Sequence, residues 1–184
     1  PMHKATFEAF FLPVEGEPGG QRFCIFHPAQ GGTVRGAVLY IHPFAEEMNK
    51  SRRMAALQSR ALAQAGFSVL QIDLRGCGDS SGDFGDASWQ DWVEDVVRGC
   101  GWLRERVPSA GIGQPGPSWW LWGLRAGCLV IAEAAKQLPE NWNFLFWQAP
   151  ASGKPLLQQF LRLKVAGDLM GGGGKGVMEG LRRQ

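Results

Sequence analysis

No apolar run in this chain approaches the roughly 20 residues needed to span a bilayer. Its first residues, PMHKATFEAFFLP, lack the basic stretch, sustained apolar core and small-residue cleavage site of a secretory leader. The expectation is a cytoplasmic protein with reduced thiols and no transmembrane segment. Its four cysteines, Cys24, Cys77, Cys100 and Cys128, form no C-x-x-C pair, and its three histidines, His3, His27 and His42, form no ligand cluster. This argues against a disulfide framework and against a zinc site, and no metal or cofactor is expected. An excess of one charge is also missing. With 19 basic and 17 acidic residues the formal charge is +2, too weak a field to point to nucleic acid or an anionic membrane as partner. The short basic runs Ser51-Arg52-Arg53 and Leu181-Arg182-Arg183 read as solvated helix faces. Pro1, ahead of Met2, is set aside as a leftover residue.

What is present suits one globular domain with its own core: 184 residues, 45% hydrophobic and 20% charged. KATFEAFFLP and QRFCIFHP, separated by the turn-rich VEGEPGG, predict an antiparallel hairpin. GAVLYIHPF predicts a buried strand running into a loop. SRRMAALQSRALAQAGF then predicts a helix with Met54, Leu57, Ala61 and Leu62 at helical spacing and Gly66 as C-terminal cap. FSVLQIDLRGCGDSSGDFG reads as a strand followed by a glycine-rich loop. The next helix opens on Ser88 as N-cap and turns Trp92, Val93, Val96, Val97 and Leu103 toward the core. After the connector PSAGIGQPGPS, WWLWGL predicts a strand, AGCLVIAEAAKQL a helix and NFLFWQAP another strand. Short apolar strands alternating with helices imply right-handed crossovers and a mostly parallel central sheet covered on both faces, with the hairpin at its edge. Trp119, Trp120, Trp122, Trp142 and Trp147 are expected to pack around the central strands. Residues 2–150 form the expected α/β core. Residues 151–184 stand in the place of a lid or cap, an apolar helix over Leu156 to Val165 followed by a flexible glycine tract. GGGGKG lacks both the spacing and the preceding strand of a phosphate-binding loop.

The stretch WLWGLRAGCLVIAEAAK carries the sharpest signal. Gly123 and Gly127 flank a strand-to-helix turn, Asp73-Leu74-Arg75-Gly76-x-Gly78-x-Ser80 follows an earlier strand, and His42-Pro43-Phe44 follows the one before that. In this order the three markers resemble the α/β-hydrolase fold, whose strand-to-helix turn carries G-x-S-x-G with serine as nucleophile. Through HPFAEEMNKSRRMAALQ, DLRGCGDSSGDF and WGLRAG the chain is similar to the exosortase A system-associated hydrolases, type 2 in particular. That resemblance implies a bacterial protein of the exopolysaccharide system, with proteins of that system as neighbours. The chain is shorter than a complete α/β hydrolase, which would add about two further strand and helix units. A histidine beyond Gln184 is therefore conceivable.

Serine hydrolysis needs a nucleophile, a histidine base, an orienting acid and backbone donors for the oxyanion. Arg125 stands at the nucleophile position, and no histidine follows His42. A guanidinium stays protonated and has no lone pair to attack with, so acyl transfer from this position is excluded. Substitute nucleophiles are Cys77, Ser80 and Ser81, although Asp79 and Ser80 have a plainer role in forming the turn. Cys128 reads as a small buried residue. At a helix N-terminus Arg125 needs a compensating anion. An internal acid, Glu46, Glu47, Asp73 or Asp79, would supply it, or else an anionic or acyl-bearing small molecule held by Arg125, Ala126, His42 and Phe44. His42 has a simpler role as a loop-orienting residue, and Pro43 removes one backbone donor. The readings are an altered hydrolase that binds such a ligand, an esterase-like hydrolase with an unconventional nucleophile, and a scaffold in exopolysaccharide assembly.

Overall fold

The computed structural model describes residues 7–108, 115–139, 141–154 and 158. The chain divides into two compact units, Pro1–Ala149 and Pro150–Gln184. Of the second, the described residues show a bend at Ala151 and the start of a helix at Gly153 and Lys154. The expected lid-like helix and glycine tail lie outside the described residues.

The first unit is a six-stranded sheet: β1 (Glu8–Pro13), β2 (Gln21–His27), β3 (Gly36–Ile41), β4 (Phe67–Ile72), β5 (Ser118–Leu124) and β6 (Trp142–Trp147). Spatial order is β1-β2-β4-β3-β5-β6. β1 pairs antiparallel with β2, and β2 antiparallel with β4. The remaining neighbours are parallel, in the register Val38–Val69 and Val38–Trp120. This is the α/β-hydrolase arrangement expected from the sequence, a mostly parallel sheet with an antiparallel hairpin at one edge. β3 is buried at every position, as a strand covered on both faces must be.

Helix α1 (Glu46–Gln64) starts five residues earlier than its apolar spacing suggests; Met54 and Leu62 are half-buried against the core as expected, but Leu57 and Ala61 are not. Met48, Ala55, Ser59 and Ala63 are buried, whereas Leu57 is 54% exposed and Ala61 lies on the surface. Leu57 is two residues from both Ala55 and Ser59, and so about 200° around the helix from them. Ala55, Ser59 and Ala63 on the inward stripe are small, which lets that part of the helix sit close to the sheet. Gly66 follows the helix at φ +92 and its N–H bonds the Ala63 carbonyl at 3.1 Å, as a terminating glycine should.

Helix α2 (Trp89–Arg106) carries a reciprocal capping box: the Asp91 N–H donates to Ser88 Oγ at 3.1 Å, and the Ser88 N–H to Asp91 Oδ2 at 2.7 Å. Trp92, Val93, Val96 and Leu103 are buried as expected, and Val97 is half-buried. Of the five tryptophans assigned to the core, Trp122 and Trp142 are buried; Trp119, Trp120 and Trp147 are half-buried. α3 (Ala126–Ala134) follows β5 directly across one residue.

A buried charge pair was not foreseen. Arg22 is 2% exposed and Asp95 fully buried, and Arg22 Nε donates to both Asp95 carboxylate oxygens at 2.8 Å. Arg22 also reaches Glu17 Oε2 at 2.9 Å and Ser81 Oγ at 3.0 Å. Asp95 accepts from the Arg75 N–H at 2.8 Å and from Arg98. Burial works against the Asp95 carboxylate; Arg22, the Arg75 N–H and Arg98 work for it. Removing one partner of such a pair strands the other, so Asp95→Ala should cost about 3–5 kcal/mol in urea unfolding, and an apolar Arg22→Met/Asp95→Leu pair should recover most of the loss. An Asp95→Ala protein as stable as its parent would show that the pair contributes nothing.

Candidate functional site

The carboxyl ends of β3, β4 and β5 deliver three loops to one edge of the sheet. The turn after β5 is the sharpest. Arg125 takes φ 53 and ψ −120, a left-handed conformation that side-chain-bearing residues rarely adopt. Two glycines make room for it. A Cβ at Gly123 would lie 2.9 Å from Cys128 Cα, and one at Gly127 would run into the carbonyl oxygen of Ile41. The Arg125 N–H donates to the Trp147 carbonyl at 2.9 Å, and the Cys128 N–H to the Arg125 carbonyl at 3.0 Å. The turn is thus fixed by close packing against β3 and by a backbone bond to the end of β6.

The Arg125 guanidinium lies 3.4 Å from Glu47 Oε1, with the two side chains 31% and 34% exposed. Glu47 stands in the first turn of α1, where a carboxylate also suits the helix dipole. Asp73, another acid considered for Arg125, is taken instead by Arg52, whose Nη2 donates to Asp73 Oδ2 at 2.8 Å. Arg52 is therefore no solvated surface residue. It lies four residues after buried Met48 and three before buried Ala55, on the inward stripe, and that spacing was the available signal. Arg53 is exposed.

His42 is buried, and both ring nitrogens are engaged. Nε2 accepts from the Leu74 N–H at 3.0 Å, and Nδ1 lies 2.6 Å from the Pro43 carbonyl oxygen. A ring that accepts at Nε2 and faces a carbonyl at Nδ1 is neutral with its proton on Nδ1. Burial holds its pKa below the ordinary histidine value. Nothing is left on this ring to take a proton from a nucleophile. Phe44 is buried against Trp92 at 4.4 Å between ring centres, and Ala126 is fully buried at the start of α3.

The loop after β4 is closed by its own hydrogen bonds. Ser80 Oγ donates to the Asp73 carbonyl at 2.6 Å and accepts from the Phe23 N–H at 2.8 Å. The Asp79 N–H donates to Asp73 Oδ2 at 3.1 Å, leaving the Asp79 side chain on the surface. Ser81 Oγ accepts from the Gln21 N–H at 2.9 Å and donates to Glu17 Oε1 at 3.2 Å. These hydroxyls tie the hairpin to the loop, and no histidine bonds any of them among the described residues. Burial pushes the Cys77 thiol up to about 12 and the Cys128 thiol up to about 11, so neither supplies a thiolate at neutral pH. No group of three or more metal-ligating side chains occurs among the described residues.

The profile of the serine aminopeptidase S33 hydrolases matches residues 32–172, which takes in all three loops. The chain belongs to this family. It is 35% identical over 81 residues to a thermostable monoacylglycerol lipase of Bacillus sp. strain H-257, covering 44% of this chain and 30% of that one. To human protein ABHD12B it is 30% identical over 126 residues, covering 68% and 32%. This S33 chain thus spans about a third of the length of these curated relatives. Among solved structures, a thermostable carboxyl esterase from Bacillus coagulans superposes with a TM-score of 0.64 at 16% identity, covering 94% of this chain and 53% of that one. A lidless serine hydrolase from Xanthomonas campestris gives 0.56 at 21%, covering 75% and 59%. These last two likenesses establish the fold. No helix among the described residues is long and apolar enough to cross a membrane.

His42 and His27 are both buried with pKa values lowered chiefly by desolvation. The folded protein therefore keeps both neutral while the unfolded chain protonates them near pH 6.5. Their contribution to stability is full above that pH. Stability should fall by up to about 1.4 kcal/mol per pH unit for each histidine as pH drops below it, until the folded-state pKa is reached. Urea unfolding between pH 7.5 and 5 measures this, and His27→Gln should flatten part of the slope.

Proposed function

We propose that this S33-family protein is a catalytically altered hydrolase that binds an anionic or acyl-bearing small molecule at the former nucleophile turn. One observation carries the reading: the strained elbow geometry is intact while its side chain is a guanidinium, at φ 53 and ψ −120. The turn still presents that side chain at the sheet edge beside the start of α3. There a cation and the first helical N–H groups together attract a carboxylate or phosphate. The neighbouring His42 is occupied as a structural hydrogen-bonding residue, so it does not stand ready as a base for an attacking hydroxyl.

The similar monoacylglycerol lipase and carboxyl esterase are named for ester substrates, whose acyl part leaves as a carboxylate. A short or medium-chain carboxylate is accordingly the favoured ligand class. Glu47 would act as its internal counterpart, a carboxylate 3.4 Å from Arg125 that an incoming anion joins or replaces. The motif likeness to exosortase A system-associated hydrolases supports a finer form of the reading, in which a protein of the exopolysaccharide system is the neighbour.

The test is thermal unfolding with added phosphate or hexanoate, beside p-nitrophenyl ester hydrolysis and fluorophosphonate labelling. Saturating ligand at about 100 times its Kd should stabilise the protein by about 2.7 kcal/mol. Arg125→Ala should abolish the shift, and Glu47→Gln, which removes a competing carboxylate, should raise the affinity. Ester turnover with fluorophosphonate labelling would overturn the reading in favour of an unconventional nucleophile. A shift that survives Arg125→Ala would remove the elbow from the binding site.

A further inference from the structure

A second concavity lies in the first unit, between the opening turns of α1 and the glycine loop after β4. It is an open cleft of about 460 Å³ that Arg125 does not line. We infer that this cleft binds a neutral saccharide unit. Its volume lies within the roughly 300–1,000 Å³ of small-molecule sites.

The wall is Phe84, on a short 3₁₀ turn, Phe84–Asp86. Its ring is 44% exposed, yet it is held from behind: its centre lies 6.0 Å from Phe44 and 5.5 Å from Trp92. Such a ring is already in place, so a ligand stacking on it does not have to order it first. The face of an aromatic ring carries partial negative charge and attracts the C–H face of a sugar ring. Buried Met48 adds a second apolar surface.

The polar lining combines three hydrogen-bonding characters. Asn49 both donates and accepts, Arg52 only donates, and the exposed Asp79 carboxylate only accepts. Neighbouring sugar hydroxyls, each a donor and an acceptor, are matched by such a mixture. Arg52 is also oriented in advance by its 2.8 Å bond to Asp73. Gly78, at φ +54, keeps the loop tight, because a Cβ there would run into the Asp73 carboxylate and the Arg52 guanidinium.

Charge decides which saccharide. Of the two charged lining residues, Arg52 is already paired with Asp73 behind the lining, which leaves the exposed Asp79 carboxylate as the charge that no ion pair offsets. A uronate or sugar phosphate would be repelled, and a neutral ring would not. This preference is opposite to that of the Arg125 site, so the two can be told apart in one experiment, and neither depends on the other.

Saturation-transfer NMR on the full chain with maltose, cellobiose and glucuronic acid tests the inference. Transfer to the ring protons of a neutral sugar is expected, with none to glucuronic acid through this cleft. Phe84→Ala should weaken binding about tenfold while leaving the fold intact, since the ring is largely exposed. Asn49→Ala should weaken it as well, and Arg125→Ala should leave it unchanged. The inference fails if neither neutral sugar receives transfer, or if Phe84→Ala leaves the affinity for it unchanged. It also fails if glucuronic acid is preferred and loses its signal with Arg125→Ala, which would assign the sugar to the elbow.

Discussion

The buried bond between Arg22 and Asp95 joins three parts of the chain that are far apart in sequence. Arg22 lies on β2, Asp95 on α2, and the Arg75 N–H that shares Asp95 belongs to the glycine loop. Ser81 and Glu17 extend the same network to the hairpin turn. A charge that cannot reach water must be met by its partner, so the hairpin, the loop and the helix are tied to one mutual placement. The glycine loop, one of the three loops at the candidate site, takes its position from this arrangement.

At that edge the chain keeps a strained strand-to-helix turn of the kind used by the α/β-hydrolase fold. The positive-φ turn, the flanking glycines and the loop after β3 are all present. Arg125 occupies that turn, and His42 is locked between a backbone N–H and a carbonyl. Positioning and chemistry are separable here. Backbone packing sets where the side chain is presented, and the side chain alone sets what the position can do.

The sheet, the hairpin, the two glycines of the elbow and the Ser88 cap were legible in the sequence, because each rests on local spacing or on a residue type with one structural use. The inward face of α1 was legible only in part, at Met54 and Leu62. Leu57 and Ala61 repeat at helical spacing, but a helix that packs closely on a sheet buries alanine and serine, which carry little hydrophobic signal. The Arg22–Asp95 pair was hidden for a related reason: an arginine in a strand and an aspartate in a helix look like surface residues until the chain is folded. Asp73 was read as an acid near the site, but its partner Arg52 was assigned to solvent. Glu47 was one of four acids open to Arg125, and only the folded chain distinguishes among them, since α1 begins before its apolar pattern does.

β6 ends the described order of strands with Phe144, Leu145 and Phe146 each substantially exposed, on alternating sides of the strand. Among the described residues no strand pairs with its outer backbone groups, and apolar side chains stand on both of its faces. An uncharged edge of this kind is a template for any extended segment that meets it, including another molecule of the same protein.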